Sequence, residues 1–203
     1  MDPSRRVSVL KKSKVQRMVI IAMLAAVSFV LMFFAFPILP TVPFMKVDFS
    51  EIPILIGTFI LGPIAGIGIA ALRSILHLLS TGFSIPNMIG DLASFLAAIA
   101  LILPIYYIYK NKHNNVGLVF GLVVGVVTST VVMSLANYSF ILPVYAKFAG
   151  FVLPGTMADY IFLGVVPFNL VKGVIVNTLF FAVYKSLVPW LNKKEESAKN
   201  YVI

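Results

Sequence analysis

Three polar side chains set inside long apolar stretches are the residues best placed to do chemistry: Asn137 in SLANYSFILPVY, and Asn169 and Lys172 in PFNLVKG. Asn169 and Lys172 stand three apart, so a helix presents them on one face. A carboxamide offers a donor and an acceptor side by side, and an ammonium adds further donors, a set suited to the polar edge of a flat heterocycle. In hydrocarbon such groups need a partner, and ionisable ones face a cavity or the interior of a bundle. Hydrogen bonding between helices is the competing reading of the same three residues. A second group lies in Pro40-Thr41-Val42-Pro43-Phe44-Met45-Lys46-Val47-Asp48. There Phe44 and Met45 can cover a flat ring, since thioethers adapt to aromatic faces, and Lys46 adds a charge; anchoring at a membrane interface is the alternative. Thr81 and Asn87, near the ends of apolar runs, are placed to meet ligand hydroxyls.

Catalysis finds little support. Outside the tails the acids are Asp48, Glu51, Asp91 and Asp159, with no HExxH, no GxSxG, no Walker A segment and no acid pair at a metal-site spacing. The chain has two histidines, His77 and His113, and no cysteine, so thiol chemistry and cysteine-ligated metals are excluded. Gly66-Ile-Gly68-Ile-Ala70-Ala71 imitates a dinucleotide fingerprint but sits in an apolar stretch with no soluble strand before it. The pattern Asp48-Phe-Ser50-Glu51 before an apolar run reads as a helix cap. Arg73, costly in a bilayer, has Asp91 as a plausible partner.

The elements that must position these residues follow from composition. Of 203 residues 60% are apolar and 11% charged, and the mean hydropathy is +1.01. Soluble domains carry roughly 25% charged residues, so this is an integral membrane protein, all-α, with room for six spans in one bundle. Apolar runs at about 15–36, 52–62, 63–79, 87–109, 116–140 and 164–190 supply them, with a long connection at 142–163. The second and third are short and are broken at Gly62-Pro63. Residues 1–14 form a basic amino-terminal segment, 15–190 the membrane domain and 191–203 a charged tail. Placing both termini in the cytoplasm puts twelve of the sixteen Lys and Arg residues at cytoplasmic ends. The net charge of +9 is thus an orientation signal aided by anionic lipid, not a nucleic-acid patch. Gly62/Gly66, Gly66/Ala70 and Gly121/Gly125 fit close helix packing. Ala22 and Ala26 make a small-residue strip in the first span, for packing within the bundle or against another helix.

Six short spans, the AxxxA strip of Ala22 and Ala26, and the segments KVDFSEIPILIGTFILGPIAGIGIAAL, SLANYSFILPVY and PFNLVKG resemble the substrate-binding S components of energy-coupling-factor (ECF) vitamin transporters, and among them the riboflavin-specific member. The resemblance covers residues 15 to 190. It implies a non-enzymatic subunit of a prokaryotic plasma membrane that binds riboflavin as substrate, with no cofactor, in an extracytoplasmic pocket closed by the loop after the first span. It further implies a transmembrane coupling protein of EcfT type and two cytoplasmic ATPases as partners. By this resemblance Ala22 and Ala26 face the coupling protein, and Asn137, Asn169 and Lys172 hydrogen-bond the isoalloxazine ring. Lys46, Phe44 and Met45 line and close the site, and Thr81 meets the ribityl chain.

Two other classes compete. A stand-alone secondary transporter of a small neutral metabolite usually shows inverted repeats and ionisable coupling residues at the midplane, and no repeat is visible. A membrane enzyme acting on lipid-linked substrate requires paired acids or histidines at one membrane face, which the sequence does not assemble.

Overall fold

The structure is a computed structural model that describes residues 13–39, 45–112, 114–151 and 155–200, with side chains through 186. Helix α1, Lys14–Met32, starts at a capping box in which the Ser13 and Gln16 side chains each accept the other's backbone N–H. Two short strands follow, β1 (Phe36–Pro37) and β2 (Lys46–Val47), paired antiparallel with Phe36 opposite Val47. Helix α2 is Glu51–Leu61, α3 is Pro63–Thr81, and α4 is Ile85–Lys112. The α2–α3 corner is Gly62-Pro63. Gly62 has φ 95°, a left-handed value that glycine adopts without strain, and Pro63 supplies a preset first turn.

The long connection expected at 142–163 is mostly helix. Helix α5 (Asn115–Ala136) passes through a π-helical turn at Asn137–Ile141 into α6 (Leu142–Phe148). Helix α7 (Met157–Tyr160) passes through a second π turn, Ile161–Val165, into α8 (Val166–Asn200). Pro143 and Pro167 each stand two residues beyond a π turn. A proline has no N–H for the carbonyl four residues back and its ring clashes with it, so the chain widens the turn there and continues as helix.

Five helical units are long and apolar enough to cross a membrane: 14–32, 63–81, 85–112, 115–148 and 157–186. The sixth, α2, has 11 residues and is the most enclosed element, with Glu51, Pro53, Ile54, Leu55, Gly57, Thr58 and Leu61 buried. It contacts α1, α3, α4 and α8. The main core joins Ile54 and Leu55 to Ile69, Ile102, Ile105, Leu118, Val176 and Phe180. The outside is apolar too: Val119, Val123, Val127, Val131 and Leu135 form an exposed stripe on α5, as expected where the solvent is lipid. The dinucleotide-like segment 66–71 lies wholly within α3.

Helices α4 and α5 approach closely at Gly125. A β-carbon there would stand 2.8 Å from the Leu101 carbonyl oxygen and 2.6 Å from the Ile105 side chain. Backbone cannot give way as a side-chain tip can, so Gly125→Val is expected to destabilise the fold by about 1–3 kcal/mol, read as a lowered Tm in detergent; an unchanged Tm would contradict this packing.

Candidate ligand-binding site

The cavity-bearing end of the bundle is where α1, α3 and α5 finish and α4 and α8 begin. A cavity of about 770 Å³ opens there, within the ~300–1,000 Å³ range of small-molecule sites. Met32 and Phe33 from the end of α1, Met45 from the β hairpin, Met133 from α5 and Phe168 from α8 give it apolar walls. Asn137, Asn169 and Lys172 all line it, although they come from two helices joined only through α6 and α7. Asn137 is fully buried at the start of the first π turn; its Nδ2 donates to the Met133 carbonyl at 2.8 Å, and its Oδ1 has no hydrogen-bond partner among the described residues. Asn169 Nδ2 donates to the Val165 carbonyl at 2.8 Å. Neither amide bonds to another helix through the described residues, so both retain hydrogen-bonding capacity for a guest.

Lys172 has counterions that the sequence reading did not assign to it. Its Nζ lies 2.6 Å from Glu51 Oε1 and 3.7 Å from Asp48 Oδ2. Asp48 and Glu51, expected as capping residues, are therefore its counterions. Ser50 stands at the N-cap position of α2 without making a side-chain cap bond. Instead its Oγ accepts from Arg73 Nη1 at 2.7 Å, its N–H donates to Asp48 Oδ1 at 2.8 Å, and its carbonyl accepts from Ser28 Oγ at 2.6 Å. Burial works to raise the Asp48 carboxyl, but Lys172, hydrogen bonding by Ser50, and Arg73 outweigh it and hold the group below the ordinary carboxylate range.

The Arg73–Asp91 pairing expected from sequence is also corrected. Arg73, fully buried, donates through Nη2 to Ser94 Oγ at 2.9 Å. Asp91 instead pairs with His77, Nδ1 to Oδ1, at 2.7 Å. Both His77 and Asp91 line the cavity, as do Ser94 and Tyr145. The sequence reading did not count these four as site residues; the available signal was His77 four residues after Arg73 on one helical face of an apolar run, which demands polar neighbours.

The remaining expectations distribute as follows. Met45 and Lys46 line the cavity, and Phe44 lies outside the described residues. Thr81 and Asn87 stand at its rim, but the Thr81 hydroxyl donates to the His77 carbonyl and Asn87 Nδ2 donates to the carbonyls of Thr81 and Gly82. These bonds close the α3–α4 turn. Ala22 and Ala26 are exposed on α1, while Ala25 between them is buried.

Comparison with known proteins gives consistent results. The family described as ECF transporter, substrate-specific component, matches residues 16–184. The riboflavin transporter RibU of Staphylococcus aureus is 35% identical over 179 residues, 88% of this chain and 93% of that protein. The riboflavin transporter FmnP of Bacillus subtilis is 31% identical over 91% of this chain and 98% of its own. A solved structure of the S component of a bacterial ECF transporter superposes with a TM-score of 0.76 at 36% identity, covering 88% of this chain and 99% of that one.

The ion cluster generates a specific expectation. Lys172→Met leaves Asp48 and Glu51 as two neighbouring buried carboxylates without their counterion, and removing one partner of a buried pair costs about 3–5 kcal/mol. The variant should show a strongly lowered Tm in detergent. Lys172→Met combined with Glu51→Gln should recover much of the loss; a double variant no more stable than the single one would contradict the pairing.

Proposed function

This chain belongs to the substrate-specific component family of ECF transporters, and from that premise we propose that it captures riboflavin in the cavity between α1, α3, α4, α5 and α8 for an ATP-driven importer. The observation that carries the reading is the chemistry of the cavity wall. Carboxamides at Asn137 and Asn169 face a space walled by Phe33, Phe168, Met45 and Met133. Riboflavin has a flat ring system whose imide edge presents one N–H between two carbonyls. The buried Asn137 Oδ1, which lacks a partner among the described residues, is an acceptor for such an N–H. The second protons of the two amides and the remaining N–H donors of Lys172 suit the carbonyls. Aromatic and thioether side chains suit the ring faces. The names of the Staphylococcus and Bacillus relatives support the same substrate.

Orientation and partners complete the proposal. The basic residues at 14–17, 110–112 and 185 lie at the end of the bundle opposite the cavity, which supports a cytoplasmic location for that end and an extracytoplasmic mouth, in a prokaryotic plasma membrane. The exposed Ala22/Ala26 strip allows another helix to approach α1 closely, and it is assigned here to the transmembrane coupling protein, which works with two cytoplasmic ATPases.

Titration of the purified chain with riboflavin should quench flavin fluorescence, and Asn137→Ala or Asn169→Ala should raise the Kd more than tenfold. Wild-type protein that leaves the fluorescence unchanged would overturn the substrate. In vesicles reconstituted with the coupling protein and ATPases, Ala22→Trp/Ala26→Trp should abolish ATP-dependent uptake while riboflavin Kd stays within twofold of wild type. Retained uptake would remove the strip from the interface.

A further inference from the structure

The cavity has a second polar pole on the wall built by α3 and α4. His77 and Asp91 meet there, and the donors once expected to serve ligand hydroxyls, Thr81 and Asn87, are engaged in closing the α3–α4 turn. Asp91 is buried, with 5% of its surface exposed, and lines the cavity. One of its oxygens accepts from His77; the other, Oδ2, has no hydrogen-bond partner among the described residues. Leaving a carboxylate oxygen buried and unpaired is costly, and the terminal torsion of an aspartate is soft enough to turn that oxygen to the cavity surface. The His77 ring keeps the carboxylate in place: it is a quarter exposed, rests against Phe33 at 5.8 Å between centroids, and makes no bond through Nε2 among the described residues. The lining also includes the apolar Ala93, Ala97 and Met133.

Charge sharpens the point. The polar lining and the network behind it carry three carboxylates, Asp48, Glu51 and Asp91, and three permanent cations, Lys172, Arg73 and Lys46, the last exposed in β2. Lys172 and Arg73 are held to Glu51, Asp48 and the serines, so neither cation satisfies Asp91. The group that suits its free oxygen is a hydrogen-bond donor such as a hydroxyl.

Resting on the riboflavin reading, we infer that the His77–Asp91 pair is the recognition point for the hydroxylated chain of the ligand, with Asp91 Oδ2 accepting a hydroxyl proton and His77 positioning the carboxylate. The pair thereby sets specificity for a flat ring bearing a polyol over the bare ring.

The test compares two flavins that share the ring and differ in the chain. Kd values for riboflavin and for lumichrome, which lacks the hydroxylated chain, are measured by fluorescence on wild type, Asp91→Asn and His77→Gln. Asp91→Asn retains an oxygen for His77 but replaces the free acceptor with a donor. It should weaken riboflavin at least tenfold and shift lumichrome less than twofold, so that lumichrome doubles as the check on folding. His77→Gln should show the same selective loss in smaller degree. Equal losses for both ligands in both variants, or no loss for either, would overturn the inference. Wild type that binds lumichrome and riboflavin equally well would overturn it while leaving ring capture standing. Wild type that binds neither would sink the riboflavin reading itself.

Discussion

The Lys172 ion cluster is the interaction on which the rest of the bundle's arrangement depends. One ammonium from α8, one carboxylate from the start of α2 and one from the segment before it meet in the interior of an apolar body. Each of these charges alone would cost several kcal/mol to hold out of water. Together they are tolerable in one arrangement only: α8 docked on α2, and the hairpin segment held down at Asp48. Arg73 extends the constraint by tying Ser50 on that segment to Ser94 on α4, and Ser28 brings in α1. Five helices are thereby fixed by polar bonds at the floor of a cavity whose walls are apolar. In lipid this matters more than in water, because apolar surfaces gain little by leaving one hydrocarbon for another and polar contacts carry the specificity.

Much of this architecture is written in the order of residue types, and part of it is not. Span positions follow from the apolar runs, and the break at Gly62-Pro63 follows from the only residue type that takes φ 95° freely. Asn137, Asn169 and Lys172 lie at one depth because a chain leaving at the end of α5 re-enters at the start of α8, which is arithmetic on lengths. The partners of Arg73, Asp91 and Glu51 are another matter. Asp48-Phe-Ser50-Glu51 has a cap's local pattern, and only the docking of α8 turns its carboxylates towards Lys172. Arg73 and Asp91 are of opposite charge and close in the fold, yet each has a better-aligned neighbour, Ser50 and Ser94 for one and His77 for the other. Such choices depend on helix rotation and crossing, which spacing along the chain does not encode. The helices within 142–163 were hidden for a local reason: proline usually ends a helix, whereas Pro143 follows a π turn and the chain continues as helix.

The electrostatics of the floor also constrain the ligand class. Lys172 is neutralised by Glu51 and Asp48, so it reaches the cavity as a hydrogen-bond donor more than as a net positive charge. Lys46, exposed in β2, is the other cation on the lining. A strongly anionic guest would have Asp48 and Asp91 beside it and little uncompensated positive charge to hold it. A neutral guest with a polar edge meets amides and one polarised ammonium, which favours an uncharged flavin in the proposed role.

The existence of the cavity itself traces to the length of α2. Eleven residues rise about 16 Å, roughly half of a ~30 Å hydrocarbon layer. The helix runs antiparallel to α1. Its last carbonyl, Leu61, accepts from Arg17 near the start of α1, and its first residue is bracketed by the Ser28–Ser50 bond. It therefore fills the half of the bundle nearest the chain's basic amino-terminal end and stops. Beyond Ser28, the continuing turns of α1 with Met32 and Phe33, the ends of α3 and α5 and the starts of α4 and α8 enclose volume that no central helix occupies. Had α2 run the full depth, its side chains would fill that space with core. Ending it at mid-depth leaves a helix amino terminus, a carboxylate and a paired ammonium as the floor. The cost of placing those polar groups there is offset by pairing them with one another, and the result is a hollow with polar chemistry at its base and apolar sides.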